Sequence, residues 1–322
     1  MFESDHHSGS ANFLTKESRK KESRKKAKKK NIVEPLYSPK KVAAAIGVSE
    51  SSLKRWCDAG TVKAVKTPGG HRKIMRSEVV SFVKRTSCRL RDPVAIGLPD
   101  INAVDFSSID QARASFLTAL LGTDSVGSCK ILCALFVQGH NVAEILDSVV
   151  SPVLFEIVVK RKRGEIPVNQ ESIAVEICHE SLLELKTIIA QVASNSPVAF
   201  GASLEGNEFP LVTLGAELCL RNFGWSATSL GANVPVRSLL QSTTDLQPSF
   251  IWISSRLIED QTNFFTKLNE LSAGVTEAVK VVVIGQSVIN DEVLRRMPTV
   301  HCCENFAQLL LVTRISDRAP DR

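Results

Sequence analysis

From Pro197 onward, short apolar runs alternate with helix-like ones, and this alternation limits the possible folds more than any other feature of the chain. VAFGAS, SATSLG, SFIWISS, KVVVIG and TVHCCEN have the length and composition of strands; LVTLGAELCLRNFG, VRSLLQST, NFFTKLNELSAG, DEVLRRM and FAQLLLVTRI have helical spacing. Parallel strands need long crossovers, and helices on both faces let the strands be apolar throughout. The pattern predicts a doubly wound, flavodoxin-like α/β domain with a five-stranded parallel sheet, which binds ligands at the carboxyl ends of its strands. LEGNEFPLVTLG (Leu204 to Gly215) occupies the first such end. It holds no GxGxxG phosphate loop, and no nucleophile elbow occurs, so no catalytic residue is assigned and the chain is not read as an enzyme.

With 322 residues the chain needs more than one core. Apolar residues at three- and four-residue spacing over about 109–121, 127–138, 142–159 and 168–192 predict a central four-helix bundle. No apolar run approaches the roughly 20 residues of a membrane span, and no charged segment leads into an apolar one, so the expected location is the cytoplasm. Eight scattered cysteines, with no CxxC pair and no Cys/His group at zinc spacing, fit a reducing compartment and give no metal site. Cys129 and Cys133 among ILCALF, and Cys302 beside Cys303, read as buried small hydrophobes.

Charge is segregated. Residues 1–90 carry 22 Lys and Arg against 8 Asp and Glu, a net of +14 in a chain whose total is +6, which leaves −8 for the remainder. Within the basic end KESRKKESRKKAKKK (Lys16 to Lys30) has no apolar face to bury. Residues 1–35 are therefore expected to be a disordered arm that adds non-specific, salt-sensitive affinity for nucleic acid.

Next to the arm stands YSPKKVAAAIGVSESSLKRWCDAGTVKAVKTPGGHRKIMRSEVVSFVKR. Ser38 and Pro39 start a helix that Gly47 ends; Ser49 caps a second, closed by Gly60. Two short helices joined by a tight glycine-containing turn make a helix-turn-helix. Leu53, Trp56 and Cys57 share the inner face of the second helix, and Ser51, Lys54, Arg55 and Asp58 the outer one. VKAVK and HRKIM flank the turn TPGG as the two strands of a wing, with Lys63, Lys66, Arg72 and Lys73 along it. Ser77 is expected to cap a third helix. His71 either touches phosphate or is a hydrogen-bonded turn residue.

SLKRWCDAGTVKAVKTPGGHRKI resembles the winged helix-turn-helix of the MerR family over about residues 36–85. The resemblance makes the second helix the recognition helix and implies contacts to double-stranded DNA from Lys54, Arg55 and Arg72, with Ser49, Ser51, Ser52, Lys63, Lys66, His71 and Lys73 on the same surface. The expected organisation is a head over 36–86, a linker over 87–107, the bundle over 108–193, the α/β domain over 194–316 and a tail over 317–322.

This order of parts is similar to the cobalamin-binding light-sensing repressors of the CarH and LitR group. GEIPVNQE resembles their bundle motif, and NFGWSATSLGANVPVRSL the strand and loop after their cobalamin helix. The resemblance implies a cobalamin-binding-like domain and a homo-oligomer. The family has an acidic residue two before its cobalt-binding histidine and a glycine three after; here those positions hold Asn207, Phe209 and Val212. Its covering tryptophan corresponds to Arg161, its Glu-His pair to Glu171 and Ser172, its Ser-x-Leu to Ser255 and Leu257, and its paired glycines to Gly285 and Gln286. Phe209 has no lone pair for cobalt, and Val212 and Gln286 add bulk where the family has glycine.

The expectation is thus a transcriptional regulator whose sensor-like domain has lost histidine-ligated cobalamin, with no cofactor. Its pocket either takes an unidentified small molecule near Arg161, Glu171, Asn207 and Ser255 or is filled by Phe209 and Val212. The alternatives are a cobalamin-dependent light-sensing repressor with atypical ligation and a corrinoid-carrying methyltransferase component. The last needs the missing histidine and has no use for a DNA-reading head.

Overall fold

The computed structural model describes residues 34–255, 260–285 and 300–316. Most of the basic arm, Leu257, Gln286, the DEVLRRM segment and the tail lie outside the described residues. Pro39 opens α1 (Pro39–Ile46), where the Ser38 hydroxyl accepts from the Lys41 N–H, and Gly47 ends the helix at φ 74°. Ser49 caps α2 (Glu50–Asp58), and Gly60, also at φ 74°, turns the chain away. The wing is the antiparallel hairpin of β2 (Val65–Lys66) and β3 (Arg72–Met75), with Lys66 opposite Arg72. On the other side of β3 lies β1 (Leu36–Tyr37), a strand too short for alternation to reveal.

The third helix, α3 (Arg76–Thr86), departs from expectation at its start. Its capping position is Met75, which supplies no side-chain bond, and Ser77 is buried inside the first turn. Strand β3 runs directly into the helix, and the anchoring is done by Arg76 and Glu78. The stretch after it also differs from a free connection: it forms two 3₁₀ turns, Pro93–Ile96 and Ile101–Ala103, and buries Leu90, Ile96, Leu98 and Ile101. The N–H groups of Arg91 and Asp92 both donate to the Ala45 carbonyl at the end of α1.

Four helical segments follow: α4 (Ile109–Leu121), α5 (Ser125–Val137), α6 (Val142–Ile145) continuing through a π turn (Leu146–Val150) into α7 (Ser151–Lys162), and α8 (Val168–Lys186). They form the expected bundle. Ser128 and Ser181 pair across α5 and α8 at 2.9 Å, so two buried hydroxyls satisfy each other. All eight cysteines are free; Cys133 and Cys303 are fully buried as expected, as are Cys178 and Cys219, whereas Cys129 and Cys302 are only half-buried, at the edge of the packed interior. Burial pushes the Cys178 thiol up to about 12, which keeps it protonated and unreactive at neutral pH.

The C-terminal part is a five-stranded parallel sheet of β4 (Val198–Ser203), β5 (Ser226–Ser229), β6 (Phe250–Ser254), β7 (Lys280–Ile284) and β8 (His301–Cys303), in the order β5-β4-β6-β7-β8. Helices α9 (Leu211–Asn222), α10 (Val236–Leu246), α11 (Gln261–Gly274) and α12 (Phe306–Ser316) accompany it. Gly201 of β4 stands opposite Trp252 of β6, and a β-carbon there would come within 2.2 Å of the Trp252 ring. The missing side chain lets the indole cross the neighbouring strand, where its Nε1–H donates to the Thr213 hydroxyl of α9. Strand order reverses between β4 and β6, which opens a crevice at their carboxyl ends. From Leu36 onward the chain is one compact unit, and one apolar cluster runs from Val42 to Leu310.

Candidate nucleic-acid interface and ligand cavity

The sequence-predicted DNA residues divide by what they touch. The Ser49 hydroxyl accepts from the Ser52 N–H at 3.1 Å and lies 2.9 Å from both the Ser51 and Ser52 hydroxyls, so this trio holds the start of α2. Lys54 and Arg55 are exposed on the outer face. Lys54 pairs with Glu50 at 2.8 Å, whereas Arg55 has no acidic partner among the described residues. Arg72 reaches from the wing to Asp58 at the end of α2. Lys63 and Lys66 are exposed and Lys73 is half-buried. At the wing tip the backbone N–H of His71 donates to the Thr67 hydroxyl, and the His71 residue is exposed.

Behind this surface α3 is fastened to the bundle. Arg76, with only 6 % of its side chain exposed, pairs with Glu184 of α8 at 3.0 Å and donates to the Gly97 carbonyl and the Thr187 hydroxyl. Its Nε is buried without a hydrogen-bond partner. Lys84 lies 3.6 Å from the centroid of the Phe136 ring and donates to the His140 carbonyl. Burial holds its ammonium down to about 8. Sequence reasoning missed both residues, because only the docked helix shows what their charges face.

The second candidate site is a cavity of about 660 Å³ where α7 and α8 face the carboxyl ends of the strands. Of the sequence-predicted pocket residues, Arg161, Glu171, Phe209, Val212, Ser255 and Gly285 line it. Phe209 and Val212 do not fill it. Arg161 and Glu171 form a direct ion pair across the gap between α7 and α8. Asn207 stays off the wall and holds the loop from behind: its amide oxygen accepts from the Phe209 N–H, and its amide nitrogen donates to the Ser255 hydroxyl at 3.4 Å. Ser172 is exposed, and its hydroxyl turns back to the Val168 carbonyl; one residue beyond Glu171 it has rotated off the cavity face. Leu257 and Gln286 lie outside the described residues.

Asp147 also lines the cavity and was not foreseen. It sits on the π turn, and its two oxygens accept from the N–H groups of Phe306 and Ala307 at 3.0 and 2.9 Å, capping α12 from the bundle. Burial raises its pKa, and these two bonds oppose the rise. Among the lining residues none is a histidine, and among the described residues no group of three metal-ligating side chains occurs. No described helix is long and apolar enough to cross a membrane.

A family model described as a helix-turn-helix domain matches residues 36–87. No curated protein matches the chain. Among solved structures, the monomethylamine corrinoid protein of Methanosarcina barkeri superposes with a TM-score of 0.55 at 13% identity, covering 64% of this chain and 98% of that one. A cobalamin-binding protein from Desulfitobacterium hafniense DCB-2 covers 64% of this chain and 98% of its own at 17% identity and a TM-score of 0.35. The methanol:cobalamin methyltransferase complex of M. barkeri covers 74% of this chain and 93% of its own at 14% identity, also at 0.35. The first of these likenesses establishes the fold of the bundle and sheet; the family match establishes a helix-turn-helix head, a domain type that suggests DNA binding.

Proposed function

We propose that the protein is a MerR-type transcriptional regulator whose bundle and sheet form a sensor for a small molecule other than histidine-ligated cobalamin. One observation carries the reading: an exposed, cation-bearing recognition helix and a ligand-sized cavity occur in one compact unit. The cavity volume falls in the range of roughly 300–1,000 Å³ typical of small-ligand sites, which argues against a filled, inert pocket. Phe209, which the family resemblance aligns with the cobalt-binding histidine, offers only carbon, and no histidine lines the space among the described residues. The residues present therefore do not fit a corrinoid held by a protein imidazole. A lining that sets Phe155, Val158, Phe209 and Phe306 beside Arg161, Lys162 and Glu304 suits a ligand with an apolar body and polar groups.

The reading includes the domain boundaries given above, a homo-oligomer on paired half-sites, and DNA contacts from Lys54, Arg55, Lys66 and Arg72. Its test is binding of the full chain to fluorescently labelled duplexes at several salt concentrations. A regulator gives an affinity that falls linearly with log salt and differs between duplex sequences. Affinity that ignores both variables would refute it. The observation that favours a second reading, a cobalamin-dependent repressor with atypical ligation, is the fold shared with a corrinoid protein.

A further inference from the structure

The segment that follows the helix-turn-helix is built into the head. Its backbone is fixed on both sides of Arg91: the Arg91 and Asp92 N–H groups donate to the Ala45 carbonyl at 2.7 and 3.0 Å, and the Asn102 amide donates to the Leu90 and Arg91 carbonyls. Between these anchors the Arg91 side chain lies along the turn that joins α1 to α2. A β-carbon at Gly47 would come within 2.4 Å of Arg91 Cδ and 2.7 Å of its Nε, so in this position the arginine uses the space that a side chain at residue 47 would take. The same residue is held at φ 74°, a conformation that favours glycine.

Arg91 is exposed, and no acidic side chain pairs with it among the described residues. Its chain neighbour Asp92 and Glu50, just past the turn, both have other partners. Asp92 accepts from the Ala95 N–H to cap a 3₁₀ turn, and Glu50 pairs with Lys54. An arginine whose backbone is fixed, whose side chain lies against the turn two residues before the recognition-helix cap Ser49, and which has no acidic partner among the described residues has the placement of a phosphate contact. Arg91 lies beyond the residues 36–87 matched by the helix-turn-helix model.

We propose that the DNA-contacting surface extends past the helix-turn-helix onto Arg91, whose guanidinium binds a phosphate of the same duplex. The inference rests on the DNA-binding reading above. It assigns no base preference to Arg91, because phosphate contacts fix register and carry no sequence information directly.

The test compares the full chain with Arg91→Ala and Arg89→Ala on two labelled duplexes of different sequence across a salt series. Arg89 is also an exposed arginine and lies on the same segment two residues earlier, so it controls for loss of one charge. Arg91→Ala is expected to lower affinity for both duplexes by the same factor, to make the log-log salt slope shallower by about 0.9, and to leave the thermal midpoint unchanged. Arg89→Ala is expected to leave the slope nearly as it was. An unchanged slope for Arg91→Ala, or equal changes for both variants, would overturn the contact, the second by showing a diffuse field. A parent chain that binds neither duplex with salt dependence would remove the regulator reading itself.

Discussion

The head and the cavity both depend on arginine, and they use it in opposite ways. On the head, Arg55 and Arg91 are exposed and unpaired among the described residues, which leaves their charge available to a partner. At the cavity Arg161 is paired with Glu171, and between the two sites Arg76 is buried against Glu184. An exposed arginine can be removed with little effect on folding, because water already solvates it. A buried one is tied to its carboxylate, since either charge left alone in the interior is costly. The contrast predicts that substitutions will separate cleanly into those that affect binding and those that affect stability.

The largest effect is expected at the join of head and bundle. Glu184→Ala leaves the Arg76 guanidinium without its counter-charge, and a loss of about 3 kcal/mol in urea unfolding is expected, at the lower end for buried pairs because Glu184 keeps 32 % of its side chain exposed. A loss under about 0.5 kcal/mol would place this pair with the surface charges. At the cavity, Glu171→Ala should cost about 1–2 kcal/mol, and Arg161→Met combined with Glu171→Met should recover most of it, because an apolar pair leaves no orphaned charge. A double variant as unstable as the single would show that packing, not charge, is lost.

On the head the comparison sharpens at Arg72, which the wing shares with Asp58. Arg72→Ala should weaken binding on all sequences and make the salt slope shallower by about one unit. Asp58→Asn frees the same guanidinium and removes a negative charge from the recognition helix, so affinity should rise several-fold, about 1 kcal/mol, at low salt. Weaker binding by Asp58→Asn would mean that Asp58 orients Arg72 more than it competes for it.

A further effect concerns pH. The Lys84 ammonium titrates at about 8 in the folded protein against 10.5 ordinarily, so between these values the unfolded chain binds more protons than the folded one. Its desolvation cost is therefore fully felt below pH 8 and is relieved as pH rises towards 10.5, so this residue contributes an increase in stability over that window. The Phe136 ring, which favours the charged form, limits the increase. Lys84→Met should remove it from the pH profile of the urea midpoint; an identical profile would exclude Lys84 as its source.

Legibility in the sequence followed the range of the interactions. Ser38, Ser49, Gly47 and Gly60 act within three or four residues of themselves, and the helix-turn-helix follows from them. The five strands were equally plain, because crossover helices force apolar runs on a parallel sheet. The capping of α12 by Asp147 joins residues 159 apart in the chain, and no local pattern encodes it. Arg91 was hidden similarly: Leu90, Ile96, Leu98 and Ile101 are too irregularly spaced to announce a helix or strand, so the segment read as a linker. Only the fold shows that its apolar residues are core and that its arginine lies on the turn. Gln170 illustrates the same limit in the bundle, where its amide closes the Leu121 carbonyl of α4 from another helix.

The most direct test of the account is the ultraviolet-visible spectrum of the purified protein after dark incubation with adenosylcobalamin or hydroxocobalamin and removal of unbound cofactor. A chain with Phe209 and the Arg161–Glu171 pair at the cavity should come through colourless while still binding duplex DNA. A retained corrinoid spectrum would contradict the claim that the cavity serves another ligand and would make the protein a cobalamin-dependent regulator with a new mode of ligation.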